Sequence, residues 1–132
     1  MGMYTELVLK FEINDNVSED VRNIFEFLFG DEEVVLPTLP EHEFFKAPRW
    51  QYIGRCSSFY HHPESVRSWF KADYSGNHVF VRADLKNYDK EIQKFLGWAK
   101  PYISPATGNC LGWIWYEEWD VPELIIWESN NG

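Results

Sequence analysis

The sequence predicts an α+β domain, a two-layer sandwich in which a mainly antiparallel sheet carries two helices on one face. Thr5–Ile13 alternates between apolar and polar residues, which is typical of a half-buried strand. Two later segments repeat apolar residues at helical spacing, and turn residues separate neighbouring strand-like segments. The predicted element order is β-α-β-β-β-α-β-β, ferredoxin-like or related, and a chain of 132 residues fits a single domain spanning residues 1–132.

The first strand and the first helix have the clearest patterns. Alternation places four apolar side chains of the strand on one face, namely Leu7, Leu9, Phe11 and Ile13. Ser18 is a favourable N-cap for the helix that follows, and Gly30 suits its end. The helix repeats apolar residues at i, i+3, i+4 and i+7, which are Val21, Ile24, Phe25 and Leu28.

The middle of the chain predicts a loop, a strand and a hairpin. Residues 31–48 contain three prolines and are typical of a loop, and residues 50–60 are predicted as a strand. Residues 66–73 and 78–85 flank Tyr74-Ser75-Gly76-Asn77, a hairpin turn. With Ser75 and Gly76 at the centre of the turn, the predicted pairs are Phe70 with Val81, Ala72 with Val79, Arg67 with Asp84, Trp69 with Arg82, and Lys71 with Phe80.

The last third predicts a second helix and a second hairpin. Asn87 or Asp89 is expected to cap the helix, and Pro101 to end it. Its apolar face would contain Ile92, Phe95, Leu96 and Ala99. Residues 111–128 then divide at Val121-Pro122 into two strands. Pairing of these strands would put one set of side chains on a face of its own: Trp113, Trp115, Glu117, Trp119, Leu124, Ile126 and Glu128.

The charge balance limits the classes of partner. The chain has 12 Lys and Arg against 21 Asp and Glu, a net charge of −9. Such a surface repels phosphate backbones, which argues against direct nucleic-acid binding and favours basic protein partners. No apolar run approaches the roughly 18 residues of a membrane span, and the N-terminus lacks the pattern of a signal peptide, so a cytoplasmic protein is expected.

Two candidate contact surfaces follow from these patterns. One contains Trp113, Trp115 and Trp119 with the carboxylates of Glu117 and Glu128. In a two-layer sandwich the helices cover only one face of the sheet, so aromatic side chains with a charged rim on the other face indicate a binding or self-association surface. Packing of these rings as extra core, or under residues 31–48, is the alternative, and a small ligand or carbohydrate is another possible occupant.

The second candidate surface is the polar face of the predicted middle hairpin. It would contain Arg67, Trp69 and Arg82, with opposite charges and a cation–π neighbour across the strands.

Catalytic and metal chemistry have little support in the sequence. Glu117 and Glu118 are adjacent, so a strand would point their carboxylates to opposite faces. No nucleophile elbow, phosphate-binding loop or HExxH spacing is present. Cys56 and Cys110 form no zinc-binding spacing, and a bridge between them is left open. We expect a non-enzymatic protein without a cofactor or metal, with an enzyme site formed only in three dimensions as the remaining alternative.

Three segments carry a resemblance to a known family: TELVLKFEI at Thr5–Ile13, FLGWAKPYI at residues 95–103, and GWIWYEEWDVPELIIW at residues 112–127. Together they resemble small uncharacterised proteins encoded by phages and prophages of Gram-positive bacteria. The resemblance spans most of the chain. It implies a small cytoplasmic accessory protein and transfers no catalytic residue.

Overall fold

A computed structural model describes residues 4–30, 33–54, 68–104 and 110–126. Its strands and helices are β1 Thr5–Ile13, α1 Glu19–Phe29, β2 Trp69–Asp73, β3 Gly76–Leu85, α2 Glu91–Ala99, β4 Cys110–Tyr116 and β5 Glu123–Ile126. Short 3-10 helices occupy Glu43–Lys46, Trp50–Tyr52 and Lys100–Tyr102. The predicted α+β class, with two helices and an antiparallel sheet, is confirmed for this part of the chain.

The five strands form one sheet in the order β2-β3-β1-β4-β5, and every neighbouring pair is antiparallel. β1 is central, so β3 and β4 run parallel to each other on either side of it. β1 and β2 are likewise parallel, with β3 between them. Helix α1 lies in the connection from β1 to β2, and α2 in that from β3 to β4, which makes two split β-α-β units with β5 added at an edge. Membership of the ferredoxin-like group stays a prediction.

One face of the sheet is buried under both helices. Leu7, Leu9 and Ile13 of β1 are fully buried there. The ring of Phe25 on α1 lies 6.1 Å from that of Phe11 on β1, measured between centroids, and 4.9 Å from that of Trp98 on α2. The apolar side chains of β1 and those of α1 therefore pack together in a single core.

Predicted capping residues make hydrogen bonds at the ends of the helices. The Ser18 hydroxyl accepts a hydrogen bond from the Val21 N–H at 3.2 Å, and the Gly30 N–H donates to the Glu26 carbonyl at 2.8 Å, as predicted for α1. At the start of α2, the Asn87 side chain accepts from the Ile92 N–H at 2.9 Å.

The strand predicted at residues 50–60 is wrong over its described part. Trp50–Tyr52 is a 3-10 helix, and Ile53 and Gly54 form a turn. Trp50 is buried beside Phe44 and Phe45 at ring distances of 6.0 and 5.1 Å, so this segment fills the helix layer and does not extend the sheet. Residues 55–60 lie outside the described part.

The middle hairpin forms, but its predicted register is wrong by two residues. Trp69 is opposite Phe80 and Phe70 is opposite Val79, around a two-residue turn at Tyr74 and Ser75. The Asp73 carboxylate accepts hydrogen bonds from the Ser75 backbone N–H at 2.8 Å and hydroxyl at 2.6 Å, which stabilises this tighter turn. Because the error is two residues, each side chain keeps its predicted face. The predicted pairing of Arg67 with Asp84 falls outside the described residues.

Candidate binding face

The side of the sheet opposite the helices is the candidate site, and we call it the open face. Its residues follow from the strand register, starting from the polar positions of β1. They are Glu6, Val8, Lys10, Glu12, Trp69, Lys71, His78, Phe80, Arg82, Asp84, Trp113, Trp115 and Leu124. Both described helices bury their apolar faces on the other side of the sheet.

The open face joins the two surfaces that the sequence suggested separately. One row of side chains crosses four strands, from Arg82 through Val8 and Trp113 to Leu124. The next row runs from Asp84 through Glu6 to Trp115. Tryptophans of the last hairpin and Arg82 of the middle hairpin are therefore neighbours across β1.

The indole N–H groups of Trp113 and Trp115 both have hydrogen-bond partners within the protein. The Trp113 Nε1–H donates to a Glu6 carboxylate oxygen at 3.2 Å, and its side chain is half-buried. The Trp115 Nε1–H donates to the Trp119 carbonyl at 3.0 Å. Trp115 is 38% exposed and Trp119 is 43% exposed, so both rings contact solvent.

Glu117 and Trp119 were predicted to lie in the strand, with side chains on its open face. In the structure they lie in the turn that follows β4. β4 ends at Tyr116, and the Trp119 N–H donates to the Tyr116 carbonyl at 2.9 Å. Glu117 is held by the start of the chain. Its N–H donates to the Tyr4 carbonyl at 3.1 Å, and its carboxylate accepts from the Tyr4 N–H.

These residues enclose a pocket of about 320 Å³, which we call the acidic pocket. Its walls are Tyr4, Glu6, Asp84, Trp115, Glu117 and Trp119. The sequence named Trp115, Glu117 and Trp119 as binding residues and missed Tyr4, Glu6 and Asp84. Glu6 stood on the polar face of β1, but only the pairing of β1 with β3 and β4 shows that it borders Asp84 and Trp115.

The other end of the open face is aromatic with a basic neighbour. Trp69 stacks on Phe80 with 5.8 Å between ring centroids. The Lys71 ammonium lies 5.3 Å from the Trp69 ring centroid, two residues along the same strand. The predicted cross-strand pairing of Trp69 with Arg82 is wrong, and Lys71 supplies the cation–π contact. The predicted site residues Arg67 and Glu128 lie outside the described part of the chain.

Metal-binding and thiol chemistry have no geometric support here. Over residues 4–30, 33–54, 68–104 and 110–126, the structure has no group of three His, Cys, Asp or Glu side chains that could hold a metal ion. The His42 ring accepts a hydrogen bond from the Phe44 N–H at 3.0 Å and so caps a 3-10 helix. The Cys110 thiol is free and exposed. None of the described helices has the length and apolar character needed to cross a bilayer.

Neither a protein-family model, nor a curated protein, nor a solved structure matches this chain. The resemblance to phage and prophage proteins therefore stays a prediction. The case for function comes from the open face and the acidic pocket.

Proposed function

We propose that this protein is a non-enzymatic, cytoplasmic accessory protein of a phage or prophage that binds a basic protein partner through its open face. The single observation that supports this most strongly is the joining of Trp113 and Trp115 with Arg82 and Trp69 on one sheet face. A domain of this size usually buries its large aromatic side chains, and the opposite face does so. On the open face Trp115 is exposed and Trp69 and Trp113 are half-buried, so part of each side chain is available for contact.

The composition of the open face matches that of protein interfaces. Trp and Arg are enriched among residues that contribute most to protein–protein binding, and they lie near the centre of such surfaces. Here Arg82 and Trp113 lie in the row that crosses the middle of the sheet. Charged side chains of both signs surround them, including Glu6 and Lys10, which suits a protein partner better than a polyanion.

Charge favours a basic partner. The chain as a whole carries −9, and carboxylates concentrate at one end of the open face. Glu6 lies there beside the buried Asp84, and the exposed Glu117, Glu118 and Asp120 follow β4 in the adjacent turn. Opposite charge on the partner would accelerate encounter and orient the complex, with the effect falling as salt is added.

The experiment is affinity capture followed by measurement with purified proteins. Tagged wild type and Trp115→Ala are compared, with Tyr74→Ala as the matched control, because Tyr74 is a fully exposed aromatic at the hairpin tip. We expect Trp115→Ala to weaken binding of the purified partner at least about tenfold by calorimetry. Tyr74→Ala should leave the affinity within about twofold. A partner that binds Trp115→Ala as tightly as wild type would refute the proposal.

A small-ligand or carbohydrate function is the second candidate, because Trp115 and Trp119 both line the acidic pocket. Indole rings can stack on sugar rings, and carboxylates can accept hydroxyl hydrogen bonds. A titration of tryptophan fluorescence against soluble glycans tests it. Saturable quenching that Trp119→Ala abolishes would support this candidate over a protein partner, and a flat response across the panel would eliminate it.

A further inference from the structure

We propose that the acidic pocket binds the guanidinium group of an arginine side chain. This deepens the proposed function, on which it rests for the source of the arginine, a basic protein partner. The proposal joins three features of the pocket: indole surface on its wall, hydrogen-bond acceptors around it, and negative charge.

The aromatic wall suits a planar cation. Trp115 and Trp119 both line the pocket, and the hydrogen bond from Trp115 Nε1 to the Trp119 carbonyl ties the Trp115 ring to the Trp119 backbone. Both rings are partly exposed. A guanidinium stacks on such rings, gaining cation–π attraction, and is more weakly hydrated than an ammonium group. A volume of about 320 Å³ accommodates this group together with part of its aliphatic stem.

The polar wall suits a ligand that only donates hydrogen bonds. Glu6, Asp84 and Glu117 line the pocket; Glu117 is exposed and Glu6 half-buried, whereas Asp84 is only 1% exposed, so the first two supply the accessible carboxylates. Ionised carboxylates only accept hydrogen bonds. A guanidinium has five N–H donors and no acceptor, so it matches this wall without leaving an acceptor of its own unsatisfied. A hydroxyl-rich or amide ligand also brings acceptors, and an anion would be repelled. The wall therefore favours arginine over a neutral sugar.

A cationic side chain of the protein itself lies beside one wall of the pocket. The Lys86 ammonium lies 5.5 Å from the centroid of the Tyr4 ring. Tyr4 also forms two hydrogen bonds with Glu117: its N–H donates to the Glu117 carboxylate, and its carbonyl accepts from the Glu117 N–H. The position of the Glu117 carboxylate is thus set by the chain before any ligand arrives.

The direct test is a titration of the isotope-labelled protein with N-acetyl-arginine methylamide, followed by NMR of the indole N–H signals. N-acetyl-citrulline methylamide is the matched probe, because it has nearly the same shape without the charge. We expect saturable shifts of the Trp115 and Trp119 signals, with a Kd of the order of 1 mM if a cation–π contact and charge-assisted hydrogen bonds act together. Citrulline should bind at least about tenfold more weakly.

Two further outcomes are decisive. If citrulline and arginine shift the indole signals equally, the pocket does not recognise the cation and the proposal is overturned. N-acetyl-lysine methylamide should bind more weakly than arginine, since an ammonium group neither stacks nor forms a planar pair with a carboxylate. Tighter binding of lysine would overturn the choice of guanidinium.

The matched variants are Glu117→Gln and Glu41→Gln, which change the net charge equally. Gln at position 117 keeps an acceptor for the Tyr4 N–H, so the fold should persist, which the circular dichroism spectrum checks. Glu41 is exposed and pairs with Lys46 at 2.8 Å; neither residue lines the acidic pocket. We expect Glu117→Gln to weaken arginine binding at least about fivefold and Glu41→Gln to change it less than twofold. Equal losses of arginine affinity in the two variants would mean that only long-range charge attraction is at work, and would overturn the proposal that the pocket binds arginine.

Failure of this proposal is distinguishable from failure of the proposed function. If Trp115→Ala weakens binding of the purified partner but the arginine probe binds no better than the citrulline probe, the proposed interface is supported and the arginine pocket is rejected. If the arginine probe binds selectively but no partner depends on Trp115, the pocket stands and the proposed function is rejected.

Discussion

Glu6 accepts a hydrogen bond from the indole Nε1 of Trp113 at 3.2 Å, although the strand register places Glu6 directly opposite Trp115. The bond therefore runs diagonally between β1 and β4. It orients the Trp113 ring along the open face and leaves the neighbouring Trp115 ring beside the acidic pocket. One carboxylate thus fixes a tryptophan in the central row and forms part of the pocket wall.

Glu6→Ala should lower the free energy of unfolding by about 0.5–1.5 kcal/mol, because the partly buried Trp113 N–H loses its acceptor. Urea denaturation followed by tryptophan fluorescence measures the change. Glu33→Ala, at an exposed loop position, is the control and should stay within about 0.5 kcal/mol of wild type. Equal stability of the two variants would show that the diagonal bond contributes nothing measurable.

Gly112→Ala should disrupt the pairing of β1 with β4. A Cβ atom at Gly112 would overlap the Val8 carbonyl oxygen, and the φ of +156° at this position disfavours any side chain. We expect the free energy of unfolding to fall by more than about 2 kcal/mol.

The control is Gly97→Ala in α2, where the new Cβ would meet only the His42 ring at 3.8 Å. That change should raise stability by up to about 1 kcal/mol, because alanine is the better helix former. Thermal unfolding of both variants gives the comparison. Effects of the same sign would contradict the predicted contact with Val8.

Ser68→Ala should cost about 1–3 kcal/mol, because it removes a buried hydroxyl that serves two backbone groups. The hydroxyl donates to the Gly54 carbonyl at 2.7 Å, and its oxygen accepts from the Arg82 N–H at 2.9 Å. It therefore ties the turn after Trp50–Tyr52 to β3. Equilibrium denaturation tests this, with Ser75→Ala as the exposed comparison. A smaller loss for Ser68→Ala than for Ser75→Ala would contradict it.

The pKa of Asp73 should rise in Ser75→Ala. In the folded protein that pKa is lowered, chiefly by the hydrogen bond from the Ser75 hydroxyl and then by the Ser75 backbone N–H. Because the folded pKa lies below the unfolded one, the stability from this carboxylate is present above the unfolded pKa. It is lost as the pH falls through the folded pKa.

A carbon-13 NMR titration of the Asp73 carboxyl in wild type and in Ser75→Ala follows this shift. Ser75→Ala should move the Asp73 midpoint upward. An unchanged Asp73 midpoint would mean that the hydroxyl does not set its pKa.

The predictions that held depend on local physics. Alternation in β1 and the Ser18 cap of α1 involve residues within a few positions of each other, so the chain's own pattern suffices. The strand predicted at residue 50 failed because burial of Trp50 against Phe44 and Phe45 overrode its strand-like composition. The hairpin register failed because Asp73 closes a tighter turn than the position of Gly76 suggested.

Periodicity within the chain was enough to predict the α+β class and the faces of β1. It also assigned Trp115 to the face opposite the helices, where this residue is 38% exposed, whereas Trp119 reaches that region by a turn. It predicted two separate candidate surfaces, which the structure joins on one face, and it did not identify half of the residues that line the acidic pocket. Those features depend on which strands become neighbours: Glu6 meets Asp84 and Trp115 only because β1 lies between β3 and β4. Tyr4 contacts Glu117 across 113 positions of sequence. No local pattern encodes such a contact, because it forms only when hydrophobic burial brings the sheet together.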